Sequence, residues 1–366
     1  MSYNLMKKIL FVVPLPPPMH GTTFINSKIL NNVNIKKYFK IYFLNSSQSR
    51  NFSQLGLIKI NKLILFLTNY FNLIKKLILT KPDLIYFNPS PRGIGFYRDI
   101  FYIFLFKIFK KKIVFHLHGK GFYDMYKNSF FMKILLVNLF KNINLICLSK
   151  KLIEDIKLFY DKNMKIFILN NFSLSHSKTV HKNKDFTFVY LSNLIPDKGI
   201  MTFLDAITLL NNKSNKNFKA KVIGDTIDRD FLKKIKKKIR KLPNVKYFGK
   251  LYGKNKFKEL NNSNVFVLPT YYSNEAFPIS ILEAMSLNLP IISSRTGGIP
   301  DIVKHNKTGF LIKKNNSDQY AKYMSFYLNN KKLAFIHGIN AKNEYNNKYT
   351  EDIFEKKLIT ILKKII

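Results

Sequence analysis

Tryptophan is absent from this 366-residue chain, cysteine occurs once, and acids are scarce: 21 Asp and Glu stand against 62 Lys and Arg. A single thiol, Cys147, excludes an internal disulfide framework and fits a reducing compartment. No zinc-ligand spacing and no Gly-x-Ser-x-Gly element occur. No uninterrupted apolar run approaches the roughly 20 residues that span a bilayer. The longest candidate, 100–109, is cut by Lys107 and followed by Lys110, Lys111 and Lys112. There is no repeat of fixed period, and nothing matches an RNA-recognition core, a zinc finger or a helix-turn-helix. The opening, with Lys7 and Lys8 before Ile9-Leu10-Phe11-Val12-Val13, has the look of a signal peptide. It runs into Pro14, Pro16, Pro17 and Pro18 without a small-residue cleavage site, so a buried first strand and a rigid loop is the better reading.

What is present bounds the answer further. The length suggests two domains, and a hydrophobic content of 46% suffices for packed cores. The net charge of +41 invites a nucleic-acid reading, or has a bland compositional source, since Lys, Asn and Ile are abundant everywhere, as an AT-rich genome produces. The charge still acts physically. Basic and apolar residues are interleaved over 61–79, with Lys62, Lys75 and Lys76, and again over 101–112. Such surfaces favour anionic lipid headgroups. Aromatic-basic segments also stack on single-stranded nucleic acid, but without a nucleic-acid-binding motif the membrane surface is the preferred partner.

Short apolar runs alternate with segments of helical length, which signals βαβ units and parallel sheets. Strands are predicted at 8–13, 40–44, 84–87, 112–117, 144–148 and 165–169, with helices at 24–31, 57–79 and 130–140. A polar stretch, 173–185, reads as a linker. A second series has strands at 186–191, 219–223, 245–249, 265–269, 291–294 and 309–311. Its helices are predicted at 199–210, 231–241, 254–261, 279–287, 299–303 and 317–328, followed by an amphipathic helix over 350–366. The expected fold class is α/β: two Rossmann-like doubly wound domains facing a cleft. Residues 1–172 form the first domain, 186–349 the second, and 350–366 pack back on the first. Open sheets of this kind bind ligands at the carboxyl ends of their strands.

Several motifs fall at those ends. Two carboxylates, Glu275 and Glu283, bracket seven mostly apolar residues, and Pro278 between them suits the first turn of a helix. Glu275 then lies at a loop tip and Glu283 within the helix. The pair could grip hydroxyls of one ligand, or be an acid near a helix N-terminus and another on a solvated face. Lys198-Gly199 leads into a helix whose first amides attract anions, although a solvated lysine has the same look. Gly297-Gly298, after Arg295-Thr296, permits close backbone approach to a phosphate or makes a bare turn. In the first half, Pro16-Pro17-Pro18-Met19-His20-Gly21 is a rigid loop at a helix start. His116 and His118 share one side of a strand end, with His118 nearer the carboxyl end and better placed for chemistry. Asp228-Arg229-Asp230 could hold a divalent cation, but it directly precedes a basic helix and reads more simply as N-capping acids.

In order and content these pieces resemble the retaining glycosyltransferases of family 4, which share the two-domain GT-B fold. The likeness is strongest over 269–311, with Glu275-Ala276-Phe277-Pro278-Ile279-Ser280-Ile281-Leu282-Glu283, then Arg295-Thr296-Gly297-Gly298, then Lys307-Thr308-Gly309. It implies transfer of a sugar from a nucleotide-diphosphate donor (a UDP- or GDP-sugar) to a lipid-linked or oligosaccharide acceptor, without cofactor or metal. By resemblance Glu275 contacts the donor sugar and Glu283 the ribose, with Ala276 and Phe277 beside them. Lys198 and the amides near Gly297 and Gly298 meet the diphosphate, His118 lies beside the sugar, and Gly21 lies near phosphate and acceptor. The chain departs from the pattern at Ser192-Asn193, where the family usually has Gly-Arg, so Asn193 replaces a phosphate cation that Arg295 could replace in turn. Ala276 also stands where a glycine is usual. The Pro-rich opening and Leu191-Ser192-Asn193-Leu194 look like members that build bacterial surface polysaccharides, which implies a cytoplasmic protein on the inner face of the membrane. A nucleotide-sugar epimerase or hydrolase of the same fold, or a basic nucleic-acid-binding protein, is the alternative.

Overall fold

The structure, a computed structural model, describes residues 6–47, 60–159, 161, 163–174, 185–213, 217–313 and 315–366. The chain divides into two compact units. One comprises Met1–Asn171 with Asp352–Ile366, and the other Phe172–Glu351. Most of the stretch read as a linker, 175–184, lies outside the described residues, as do 57–59 at the start of the expected helix 57–79.

The first unit is built on a six-stranded parallel sheet of order β2-β1-β3-β4-β5-β6. Its strands are β1 (Lys8–Val13), β2 (Lys40–Asn45), β3 (Leu84–Phe87), β4 (Lys112–Leu117), β5 (Asn144–Cys147) and β6 (Ile166–Ile168). Central strands such as β1 and β3 are continuous apolar runs because helices cover both faces of a parallel sheet. Register follows from the pairs Ile9–Ile41 and Ile9–Leu84. The helices are α1 (Gly21–Asn31), α2 (Val33–Tyr38), α3 (Ile60–Thr80), α4 (Gly93–Ile108), α5 (Phe122–Asn128) and α6 (Phe130–Phe140).

The chain turns back after β2, so right-handed crossovers put α1 and α2 on one face of this sheet and α3, α4 and α6 on the other. One apolar cluster records the second layer. Leu73 and Leu77 of α3, Phe96, Ile103 and Phe106 of α4, and Leu136, Leu139 and Phe140 of α6 pack on Leu10, Ile85, Phe115 and Leu145. By length and composition α3 is long and apolar enough over Leu63–Thr80 to cross a membrane, alone among the described residues. No uninterrupted apolar run marks it in the sequence, because Lys75 and Lys76 interrupt the stretch. The terminal helix α14 (Glu351–Ile365) belongs to this unit from Asp352 onward. Its Glu355 accepts from Asn32 Nδ2 at 2.6 Å, and the Ile366 carbonyl accepts from Lys112 Nζ at 2.8 Å.

The second unit repeats the plan with the order β12-β11-β10-β7-β8-β9. The strands are β7 (Phe186–Leu191), β8 (Phe218–Ile223), β9 (Val245–Tyr247), β10 (Val265–Leu268), β11 (Ile291–Ser294) and β12 (Gly309–Ile312). The helices are α7 (Ile200–Lys213), α8 (Arg229–Ile239), α9 (Gly253–Asn261), α10 (Ile279–Ser286), α11 (Ile299–Ile302), α12 (Ser317–Asn329) and α13 (Lys331–Lys348). Sequence reasoning assigned no helix to α13, which has no apolar stripe. It docks instead through Ala334, Gly338, Ala341 and Tyr345, and a Cβ at Gly338 would lie 2.1 Å from the Asn288 carbonyl oxygen. In each unit strand order reverses beside the first strand, between β1 and β3 and between β7 and β10, so each has a crevice at the carboxyl ends there.

Candidate active site

In the second unit the loops after β7, β10 and β11 meet, because these strands are near neighbours in the sheet. A short 3-10 turn, Pro196–Lys198, follows β7 and ends at Gly199, whose φ is +78°. A Cβ at Gly199 would fall 2.1 Å from the Pro269 carbonyl oxygen, so only glycine lets the first loop lie against the end of β10. The Tyr271 amide donates to the Asp197 carbonyl at 2.8 Å and closes the contact. Lys198 is thereby delivered to Glu275, with Nζ 2.7 Å from Oε2 and side chains only 15% and 6% exposed. Thr270 Oγ1 donates to the same oxygen at 3.0 Å, and the Tyr272 ring lies 4.8 Å from the ammonium.

The Gly-Gly turn covers this pair from the β11 side. Gly297 has φ +53°, and a Cβ there would lie 1.8 Å from the Glu275 carbonyl oxygen. Gly298 N–H donates to the Ala276 carbonyl at 2.7 Å. That corrects one expectation: the Gly298 amide is committed to protein, whereas Gly297 N–H has no partner among the described residues. Ser294 and Thr296 hydroxyls both donate to the Thr270 carbonyl and lock the two loops together. Ala276 and Phe277 are buried, Phe277 against Tyr349, so they offer a ligand main chain and not side chains. Ala276 is not among the residues with positive φ, which explains how alanine is tolerated. Arg295 and Asn193 are exposed at the ends of β11 and β7, and Arg295 pairs with no carboxylate among the described residues.

Glu283 lies inside α10, as the spacing required, but Pro278 is the N-cap and not a first-turn residue, because its ψ of 118° is extended. Glu283 Oε1 meets Lys256 Nζ of α9 at 2.5 Å. Burial raises its pKa, and the Lys256 charge opposes the rise. Each carboxylate therefore has its own lysine. Lys256 carried no sequence signal, since its partner is distant and its type common, whereas Thr270 and Tyr272 lie within the 269–311 resemblance but were given no role. Asp228 is an N-cap whose Oδ1 accepts from Phe231 N at 2.9 Å, and Asp230 pairs with Lys233.

In the first unit His118 follows β4, and its ring centroid is 4.0 Å from that of His116. Burial, and then the charge of His20, push its pKa down to about 3, so the imidazole is neutral at physiological pH. Its Nε2 is buried without a hydrogen-bond partner among the described residues. His116 is fixed by Tyr86 Oη at Nδ1. Asp155 holds the loop beyond His118 by accepting from the Gly121 and Phe122 amides at 2.9 and 3.0 Å. Gly21 opens α1 at the end of the proline-rich loop, beside the N-cap His20, whose amide donates to Thr23 Oγ1 at 2.9 Å.

Nearly the whole second unit has known counterparts. Residues 171–344 match the model of glycosyl transferases group 1. The capsular polysaccharide biosynthesis glycosyltransferase CapM of Staphylococcus aureus is 28% identical over 198 residues, 52% of this chain and 50% of that protein. The chain spans about half the length of the curated relatives it matches first. Similarity to solved structures extends over both units. Sucrose-phosphate synthase from Thermosynechococcus elongatus superposes with a TM-score of 0.79 at 14% identity, over 98% of this chain and 99% of that one. Anabaena HepE in complex with UDP gives 0.73 at 16% identity, over 98% and 100%. The fold is GT-B, with two parallel-sheet Rossmann-like domains.

Proposed function

We propose that this protein is a retaining glycosyltransferase that moves a sugar from a nucleotide-diphosphate donor to a lipid-linked or polysaccharide acceptor in surface polysaccharide synthesis. The observation that carries this reading is the buried Lys198–Glu275 couple, held under the Gly297 turn at the strand-order reversal of the second unit. Sugar transfer develops negative charge on the leaving diphosphate and positive charge at the anomeric carbon. Preorganised cations and amides stabilise the first most effectively in a partly dry site. Lys198 has three N–H donors and can keep Glu275 while meeting a phosphate. The free Gly297 amide and the exposed Arg295 guanidinium supply the remaining positive potential, with Arg295 standing in for the cation absent at Asn193. Glu275 then accepts from the sugar hydroxyls, and Glu283 from the ribose in exchange for part of its contact with Lys256.

The second unit is thus the donor domain and the first the acceptor domain. His118, kept neutral, offers Nε2 to a sugar hydroxyl, and Gly21 leaves room at the start of α1 for phosphate or acceptor. The complex of HepE with UDP and the capsular role of CapM support a UDP-sugar and a surface glycan. We assign the work to the inner face of the cytoplasmic membrane, without a metal, because Asp228 and Asp230 serve α8. Thermal-shift screening of UDP- and GDP-sugars is the test: one class raises the melting temperature of the native protein, and Glu275→Gln abolishes transfer while preserving nucleotide binding. Equal transfer by Glu275→Gln, or transfer abolished by EDTA and restored by magnesium, refutes the assignment.

A further inference from the structure

The layer of α3, α4 and α6 is apolar on both sides. Its inner side makes the core described above. On its outer side, Ile94, Tyr97, Phe101, Phe104 and Ile108 of α4 recur at three- and four-residue steps and are 41–62% exposed. A soluble surface helix carries polar residues on that side. The flanking helices repeat the pattern. Phe71, Ile78 and Leu79 of α3 are exposed, and of Leu63–Thr80 only 17% is buried. Phe130 and Phe131 of α6 are the two most exposed phenylalanines in the described chain. The Phe66 ring, 5.6 Å from that of Phe101, and the Lys107 ammonium, bonded to the Asn138 carbonyl, join the three helices into one surface.

Charge tells what that surface faces. Within α3 and α6 there is no acid, and the one acid of α4, Asp99, is buried and bonded to Arg98 and the Ser90 amide. Most of the lysines lie towards the helix ends, with Lys75 and Lys76 late in α3, Lys107, Lys110 and Lys111 at the end of α4, and Lys141 after α6, while Lys62 and Lys133 lie in the first turns of α3 and α6. Because all three helices run opposite to the parallel strands, these ends lie along one edge of the layer. Favourable interaction with helix dipoles accounts for lysines at helix ends, but not for the outward apolar stripe. An apolar face whose own three helices expose cations and no acid suits one occupant, a bilayer of anionic lipid.

We propose that the outer face of α3, α4 and α6 docks peripherally on an anionic lipid bilayer, inserting the α4 stripe into the interface with the lysine edge on the headgroups. This rests on the membrane-facing reading above and says which surface makes the contact. The test is co-sedimentation of the full-length chain with phosphatidylcholine vesicles, with and without phosphatidylglycerol. Binding is expected to need phosphatidylglycerol and to weaken as salt is raised. Phe104→Gln with Ile108→Gln lowers the partition coefficient about tenfold or more. Phe335→Gln with Ile336→Gln, which removes as many exposed apolar residues from α13, leaves it unchanged. Both variants keep the wild-type melting temperature, since the side chains replaced are exposed. The proposal falls if wild type does not bind anionic vesicles, if the α4 variant binds as well as wild type, if the α13 variant loses as much, or if the α4 face instead makes the chain dimerise. Nucleotide binding by the second unit, measured in parallel, separates loss of this docking from failure of the glycosyltransferase assignment.

Discussion

Replacing Lys198 with methionine keeps the length of the side chain and removes its charge, leaving Glu275 buried beside Thr270 alone. Removing one partner of a buried pair costs about 3–5 kcal/mol, mostly because the other charge is left uncompensated. The Thr270 hydroxyl at 3.0 Å remains, so the lower end, about 3 kcal/mol, is expected. For a unit the size of Phe172–Glu351, each kcal/mol moves the melting temperature by roughly 2–4 °C, which gives a fall of about 6–12 °C. Differential scanning calorimetry of the full chain reads it directly. The double variant Lys198→Met, Glu275→Gln removes the stranded charge and recovers about half of the loss, while glycosyl transfer stays abolished in both. That split distinguishes an electrostatic couple from a merely well-packed one. A melting temperature within 1 °C of wild type for Lys198→Met, or no recovery in the double variant, would refute the reasoning.

Gly297→Ala forces a side chain into φ +53° and against the Glu275 carbonyl. A loss of about 2–3 kcal/mol in urea unfolding is expected, with weakened donor binding, and wild-type stability would show that the turn does not cover the pair. For His118, burial depresses the folded-state pKa to about 3, against about 6.5 in the unfolded chain. The unfolded state therefore takes up the proton first. The stability contribution is complete above pH 6.5 and is lost as pH falls towards 3. His118→Asn should flatten the acid limb of the stability profile by about 1.4 kcal/mol per pH unit between pH 4 and 6, and an unaltered limb would show that His118 is protonated in the folded protein.

How legible this was in the chain depended on how local the cause is. β1, β3, β4, β7 and β11 coincide with predicted strands because a strand covered on both faces is a short run made mostly of apolar residues. Alternation with helical segments then leaves few architectures besides parallel sheets. Segments that follow strand ends were also readable, and Lys198, Glu275, Gly297 and His118 all lie in such segments. Helix α13 was not readable, because it packs by small residues whose use depends on the Asn288 loop beneath them.

Partnership lay wholly in the tertiary structure. Lys198 and Glu275 are 77 residues apart, and they meet because Gly199 lets one loop rest on the end of β10. Gly297 looked like room for a phosphate, yet its missing Cβ first accommodates the Glu275 carbonyl. The apolar runs of α3 and α4 read as amphipathic segments, and only the packed layer reveals that their outward sides stay uncovered. Short-range patterning sets which elements form, because burial imposes a period on the chain. Which side chains then share a site is a matter of strand order and loop approach, and no local period encodes either.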